Sequence, residues 1–144
     1  MNVFDIYTDG ACSHNPGPGG WGVVILHNDV VMDTLSGYQK DTTNNQMEMT
    51  AVIKALSFFD EKATINLFTD SNYVINGINS WIHNWIKKGW KTSSNSPVKN
   101  VELWKEINAL NKFHAVKWIW VKGHSGNTGN DLADKLATDA IIKK

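Results

Sequence analysis

Two strand-like segments of this chain end in the same pattern, in which an aromatic residue, a threonine, an aspartate and a small residue follow one another. The first segment ends in Tyr-Thr-Asp-Gly at 7–10, and the second ends in Phe-Thr-Asp-Ser at 68–71. The carboxyl ends of neighbouring parallel strands meet at one edge of a sheet, where open α/β folds bind their ligands. The repeated ending therefore predicts two parallel neighbours that place Asp9 and Asp70 side by side at that edge.

The pattern of apolar residues predicts an α/β fold, a five-stranded mixed sheet flanked by helices. Three strands form a meander, and β/α crossovers follow, in the order β-β-β-α-β-α-α-α-β-α. We expect strands at 3–9, 21–26, 30–37, 64–69 and 116–121, and helices at about 44–59, 71–77, 80–88, 100–111 and 130–142. A turn rich in glycine and proline is expected at 15–20, and Thr43 with Gln46 fits a capping box at the first helix.

Two further carboxylates belong with the pair at the strand ends. Glu48 falls on the apolar stripe of the first predicted helix, and Asp134 lies in the first turns of the last one. Any one acidic residue alone is better explained as a helix cap or a solvated surface group. If all four converge, however, their mutual repulsion requires hard cations between them. This is the arrangement that a two-metal phosphoryl-transfer site needs.

Charge is unevenly distributed along the chain, although the formal net charge is zero. Residues 81–101 contain no acidic residue and four lysines, namely Lys87, Lys88, Lys91 and Lys99. One basic segment and one acidic focus suit an enzyme that acts on nucleic acid. All 14 residues counted as Lys or Arg are lysines, so we expect contacts mainly to the phosphate backbone.

Length and composition restrict the class of protein further. A chain of 144 residues suits one domain with a substantial core, which we expect to span 1–144. No apolar run approaches membrane-spanning length, and a strand pattern at the N-terminus argues against a signal peptide. The single cysteine, Cys12, excludes an internal disulfide and suits a reducing compartment. We therefore expect a cytoplasmic monomer that needs no membrane and no obligate protein partner.

Taken together, eight motifs resemble the type 1 ribonuclease H family over nearly the whole chain, and most closely the bacterial ribonuclease HI enzymes. Each motif alone is a weak signal, but all of them occur in order and at family-like spacing. They are Tyr7-Thr8-Asp9-Gly10, Asn15-Pro16-Gly17-Pro18-Gly19-Gly20, Thr43-Asn44-Asn45-Gln46-Met47-Glu48, Thr69-Asp70-Ser71, Trp81-Ile82-His83-Asn84-Trp85, Gly89-Trp90-Lys91, Trp120-Val121-Lys122-Gly123-His124 and Asn130-Asp131-Leu132-Ala133-Asp134.

The resemblance implies an endoribonuclease that hydrolyses the RNA strand of RNA–DNA hybrids and leaves 5′-phosphate and 3′-hydroxyl ends. It also implies that two Mg²⁺ ions, with Mn²⁺ as an alternative, are held by Asp9, Glu48, Asp70 and Asp134. His124 resembles the family's catalytic histidine, and we expect it to assist proton transfer or product release.

The same resemblance divides substrate recognition between the two strands of a hybrid. Side-chain amides near the carboxylates suit the 2′-hydroxyls that mark RNA, and these are Asn15, Asn44, Asn45 and Asn72. Thr43, near a helix N-terminus, is expected to contact a phosphate. Residues 81–101 resemble the family's basic protrusion, called the basic handle below. Its four lysines would meet DNA-strand phosphates, while Trp81, Trp85 or Trp90 would pack on sugars.

One departure from the family pattern and two competing functions remain. Lys40-Asp41, with an apparent one-residue insertion, stands where a basic residue is often found, so an acidic group would weaken the nearby phosphate pocket.

The first alternative function is a non-catalytic module that binds hybrids or double-stranded RNA on the same fold, which would predict a lost carboxylate. The second is a recombinase-type nuclease, which normally needs additional domains.

Overall fold

The computed structural model describes residues 2–123 and 126–142, and its centre is a mixed five-stranded sheet. The strands lie in the order β3-β2-β1-β4-β5, with β1 antiparallel to β2 and parallel to β4. Their bounds are β1 Val3–Cys12, β2 Gly17–His27, β3 Val30–Thr42, β4 Thr64–Thr69 and β5 Ala115–Trp120. The predicted α/β class, mixed sheet and order of elements are confirmed.

Five helices flank this sheet within the described residues. Their bounds are α1 Asn44–Ser57, α2 Asn72–Asn76, α3 Ile82–Lys87, α4 Val101–Phe113 and α5 Thr128–Ile142, with a π-helical turn at Gly77–Trp81 between α2 and α3. Helix α1 packs on one face of β1 and β2, and α5 packs on the other face. No helix in 2–123 or 126–142 is both long enough and apolar enough to cross a membrane.

The main core lies between the sheet and helices α1 and α4. Alternate residues of β1, β2 and β4 point toward α1, as the period of two in a strand requires. The apolar stripe of α1 covers them, and the fully buried Trp104 and Ile107 of α4 close the layer from outside. The sheet contributes Ile6, Val23, Ile25, Ile65 and Leu67, and α1 contributes Met49, Val52, Ala55 and Leu56.

The turn expected at 15–20 is shorter than predicted, because β2 already begins at Gly17. Gly20 pairs with Ala11 of β1 and with Tyr38 of β3, which extends the meander on both sides. Gly20 and Gly22 also face the backbone of α5, where a Cβ atom would collide with the carbonyl oxygens of that helix. These glycines therefore allow a helix to approach the sheet closely and do not form a loop.

The N-terminus of α1 differs from the predicted capping box in one of its two hydrogen bonds. Gln46 N donates to Thr43 Oγ1 over 3.2 Å, so Thr43 is the N-cap as expected. The Gln46 side chain does not return to Thr43; it accepts from Thr42 Oγ1 and donates to Asn100 Oδ1. The Gln46 side chain bonds to Asn100 because Asn100 lies next to α1 in the folded chain. A local sequence motif does not reveal this contact, since the two residues are distant in sequence.

Candidate active site

The ends of β1 and β4 bring two carboxylates together as predicted. The two strands are parallel neighbours, and Thr8 lies opposite Thr69 in their register. Asp9 is still inside β1 and only 4% exposed, whereas Asp70 follows the last residue of β4. The backbone pairing therefore fixes both residues at the same edge of the sheet.

Helices α1 and α5 supply the other two carboxylates. At Gly10 a Cβ atom would collide with the α1 backbone at Met47 and Glu48, so this glycine lets α1 lie directly against β1. Glu48 then lies beside Asp9, and Asp134 of α5 reaches the same place from the opposite face. All four predicted carboxylates line one open pocket of about 380 Å³.

Three of these four carboxylates form a tight group. One oxygen from each of Asp9, Glu48 and Asp70 lies within 4.8 Å of the others, while Asp134 lies in the wall of the same pocket. Glu48 Oε2 is fully enclosed and has no hydrogen-bond partner among the described residues. A group made only of carboxylate oxygens, one of them unsatisfied, fits a hard divalent cation. These three residues can hold a metal ion.

Burial and mutual repulsion raise the pKa values of two carboxyl groups in this cluster, Asp9 and Glu48. Burial raises the pKa of Asp9 to about 8, and repulsion from Asp70 and Asp134 acts in the same direction. Burial also raises the pKa of Glu48 well above its ordinary value, and the neighbouring Asp9 carboxylate adds to the effect. A metal ion would reverse this preference, because a bound cation favours the ionised carboxylates and releases their protons.

The residues around Asp70 explain why its motif contains threonine and serine. Thr69 Oγ1 accepts a hydrogen bond from Ser71 N over 3.1 Å, which turns the chain sharply after β4. Ser71 Oγ accepts from Val74 N over 3.2 Å and caps α2. Asp70 therefore lies in a short junction between strand and helix, and its side chain is directed into the pocket.

Several polar residues predicted to bind substrate surround the carboxylates. Asn44, Asn45 and Asn72 line the pocket itself. Asn15 is exposed, and its Oδ1 accepts from Asn44 N over 3.0 Å, so the Asn15 side chain supports the start of α1. Thr43 is engaged as the cap of the same helix. Asn15 and Thr43 thus shape the N-terminus of α1, while the other three residues line the pocket.

The basic handle lies on a cluster of aromatic rings. Trp85 packs against Trp81 and the buried Trp104 at ring-centroid distances of 5.9 and 5.5 Å, and Tyr73 joins the same cluster. Trp90 is half-buried, with Lys105 Nζ 5.9 Å from its ring centroid. The tryptophans predicted to pack on sugars therefore also anchor the handle, and the four handle lysines, Lys87, Lys88, Lys91 and Lys99, are exposed.

Two aromatic residues near the site received no role in the sequence analysis. Trp120, the last residue of the edge strand β5, is 46% exposed. Tyr73 was not singled out, yet it lines the pocket and its hydroxyl accepts from Asn100 Nδ2 and Trp104 Nε1. No local pattern marks these contacts, because their partners lie about 27 and 31 positions away in the chain.

Two other expectations stand as predictions. His124 lies outside the described residues, so its place relative to the carboxylates is not described. Lys40 and Asp41 are exposed at the end of β3, directly before the buried Thr42 and the cap residue Thr43. Asp41 therefore lies close in sequence to the α1 N-terminus, as the expected weakening of a phosphate pocket requires.

The fold and the site define a class of protein, which is an α/β protein with an acidic crevice that could hold a metal ion at the carboxyl ends of its central strands. Comparison with known proteins narrows that class. The family model described as RNase H matches residues 1–142. A Ribonuclease H from Ruthia magnifica subsp. Calyptogena magnifica is 56% identical over 144 residues, covering 99% of this chain and 98% of the relative. The chain belongs to the ribonuclease H family of nucleases.

Solved structures agree with this assignment. LC9-RNase H1, a type 1 RNase H with the type 2 active-site motif, superposes with a TM-score of 0.84 at 31% identity, over 99% of this chain and 74% of that one. LC11-RNase H1, solved in complex with an RNA/DNA hybrid, has a TM-score of 0.72 at 24% identity, over 97% of each chain. The second likeness concerns the fold alone.

Proposed function

We propose that this chain is a single catalytic domain that hydrolyses the RNA strand of RNA–DNA hybrids and leaves 5′-phosphate and 3′-hydroxyl ends. The observation that carries the proposal is the convergence of Asp9, Glu48 and Asp70 within 4.8 Å of one another, with an enclosed and unsatisfied oxygen on Glu48. A buried acidic group of this kind is costly unless it binds cations, so its presence favours a catalytic site over a passive surface.

The four carboxylates would hold two Mg²⁺ ions, or Mn²⁺ in their place. Asp9 lies on the central strand and interacts with each of the other three carboxyl groups, so it would contribute most to holding the ions. When bound, such ions lower the pKa of an attacking water and stabilise the leaving 3′-oxygen. The protein contributes fixed positions for the ligand oxygens, because Mg²⁺ demands near-ideal geometry and keeps several of its waters. His124 would assist by moving a proton or by helping the product leave.

Recognition of the two strands would fall to different parts of the molecule. Asn44, Asn45 and Asn72 line the acidic pocket, where their amides can donate to and accept from ribose 2′-hydroxyls. Asn15 and Thr43 would hold the α1 N-terminus ready for a phosphate. The exposed lysines of the basic handle would contact phosphates of the DNA strand, with Trp81, Trp85 or Trp90 beside its sugars. The hybrid bound by LC11-RNase H1, which shares this fold, supports such a substrate.

A non-catalytic module that binds hybrids or double-stranded RNA is the second candidate. It would have no use for a complete set of carboxylates, which this chain retains at one pocket.

We further propose that the protein acts as a cytoplasmic monomer without an obligate protein partner. Light scattering of the purified chain would test the oligomeric state, and a dimer would contradict it.

The test is cleavage of a hybrid whose two strands carry different labels, with Mg²⁺, with Mn²⁺ and with EDTA, beside duplex DNA and duplex RNA. We expect metal-dependent cutting of the RNA strand only, and loss of cutting in Asp70→Asn. Tight binding of the hybrid without cutting would favour the binding module. Cutting of duplex DNA would favour the recombinase-type nuclease.

A further inference from the structure

Asp70 is the least supported of the three clustered carboxylates. Asp9 lies within a strand and Glu48 within a helix, so ladders of backbone hydrogen bonds hold both of them. Asp70 belongs to neither kind of element, because β4 ends at Thr69 and α2 begins at Asn72. Its position in the cluster therefore depends on the hydrogen bonds of Thr69 and Ser71 and on what packs against it.

The segment that leaves β5, residues 120–123, contacts Asp70 on two sides. Trp120 Nε1 donates a hydrogen bond to the Asp70 carbonyl oxygen over 3.2 Å. Val121 N donates to Thr69 O over 2.9 Å, which continues the pairing of β4 and β5 beyond the end of β5. The backbone of Asp70 is thus held by the neighbouring strand rather than by its own.

The side chain of Asp70 is limited by Gly123. A Cβ atom at position 123 would lie 2.6 Å from Asp70 Oδ2, which is closer than such atoms approach in proteins. Gly123 is not among the residues with positive φ, which include Gly89 and Gly126 among the described glycines. The backbone conformation at position 123 would therefore accept alanine. What a side chain at this position would lack is space, because the Asp70 carboxylate occupies it.

We propose that Gly123 and Trp120 are positioning residues for Asp70, and that the absence of a side chain at 123 leaves the carboxylate in its metal-binding position. A methyl group at 123 would push Oδ2 away from Gly123 and disturb its distances to the oxygens of Asp9 and Glu48. Partners that orient metal ligands typically change metal affinity by about 10- to 100-fold when they are altered. The role of the site in catalysis rests on the proposed function, but the position of Asp70 does not.

The main experiment compares Gly123→Ala with Gly126→Ala, a matched control three positions further along the chain. A Cβ atom at 126 would meet nothing within 4 Å, although the positive φ of Gly126 makes that substitution strained. The control therefore strains the backbone at Gly126 without touching Asp70. Mg²⁺ binding to each purified protein is measured by calorimetry in the absence of nucleic acid, and the Asp70 χ1 angle is measured in metal-free protein from three-bond NMR couplings.

We expect Gly123→Ala to weaken Mg²⁺ binding about tenfold and to change the Asp70 couplings, while Gly126→Ala leaves both unchanged. Trp120→Phe keeps an aromatic ring but loses the donor to Asp70, so we expect a smaller loss of Mg²⁺ affinity, about threefold. This second variant also tests the proposal if Gly123→Ala fails to fold.

Unchanged Asp70 couplings and Mg²⁺ affinity in Gly123→Ala would overturn the proposal, and so would equal losses in both glycine variants. If Gly123→Ala is unfolded, wild-type affinity in Trp120→Phe overturns it. If wild-type protein binds Mg²⁺ but leaves hybrids uncut, the proposed function fails while the positioning of Asp70 stands. If wild-type protein binds no Mg²⁺, the Asp70 couplings of Gly123→Ala alone test the proposal, and unchanged couplings overturn it.

Discussion

The acidic pocket and the basic handle are fixed in the molecule by different means. Asp9 and Glu48 are held by a strand and a helix whose backbones touch at Gly10, and Asp9 is only 4% exposed. The handle lysines are exposed on a short helix and an irregular loop, in which an isolated bridge joins Lys91 to Pro97. Chemistry on a phosphodiester needs ligand oxygens at fixed distances, whereas attraction to phosphates needs only charge nearby.

The two regions are nevertheless connected beneath the surface. Asn100, in the left-handed conformation where the handle ends, accepts from Gln46 Nε2 of α1 and donates to Tyr73 Oη. Tyr73 lines the acidic pocket and also accepts from the buried Trp104. The base of the handle is thus tied to the two helices that border the carboxylates. This connection links the position of the handle to that of the acidic pocket.

The largest expected loss of activity follows substitution within the group of Asp9, Glu48 and Asp70, and a smaller loss follows substitution of Asp134. We expect Asp9→Asn to lower kcat/KM by roughly 10³-fold, because it removes charge from the centre of the carboxylate group proposed to bind metal. Asp134→Asn should cost only about tenfold, because Asp134 lies in the pocket wall outside the trio. Cleavage of a labelled hybrid at saturating Mg²⁺ measures both. Equal losses in the two variants would show that Asp134 is an equal member of the group.

The acidic pocket should also make metal-free protein less stable as the pH rises. The pKa of Asp9 is raised from 3.8 to about 8 in the folded state, and that of Glu48 is raised in the same direction. Between these pH values the folded protein binds more protons than the unfolded chain, so its free energy of unfolding decreases with pH. This contribution to stability is complete below about pH 4 and is lost as the pH rises through about 8.

Urea unfolding in EDTA at pH 5, 7 and 9 measures this loss. Each unit of pKa shift corresponds to about 1.4 kcal/mol, so we expect wild type to lose at least that amount relative to Asp9→Asn. The variant has the same remaining titratable groups, so they cancel in the comparison except where they interact with position 9. Saturating Mg²⁺ should remove most of the difference between the two proteins in how steeply the free energy of unfolding falls with pH. Parallel pH profiles for the two metal-free proteins would contradict the protonated state of the pocket.

The acidic pocket was predictable from the sequence because short-range patterns determine it. Alternating strands with the same ending place Asp9 and Asp70, and a polar residue on an apolar stripe marks Glu48. The close approach of α5 to Gly20 and Gly22 was not predictable, since a glycine run also suits a turn. The support of the handle was missed for a similar reason. Gly77 lies against the ring of Trp104, which is distant in sequence, at the π-helical turn before α3.

The smallest expected effect concerns the handle. We expect the double substitution Lys87→Ala and Lys88→Ala to weaken hybrid binding about 3- to 10-fold near physiological salt and to leave kcat unchanged. Each lost phosphate contact removes about one counterion from the binding equilibrium, so the slope of log Kd against log salt should decrease by about two. Binding is measured in Ca²⁺ with proteins that also carry Asp70→Asn, which we expect to prevent cleavage in all samples.

The matched control is Lys62→Ala with Lys112→Ala, which removes the same charge from the opposite end of the sheet. Lys62 precedes β4, and Lys112 lies in the last turn of α4, just before β5 begins, so both are far along the strands from the carboxylates. We expect this pair to lower affinity only slightly and to leave the salt slope unchanged. Equal slopes for the two double variants would mean that net charge, and not the position of the handle, attracts the hybrid. The position of the handle lysines would then not matter for binding, and the handle would not be a separate binding region beside the acidic pocket.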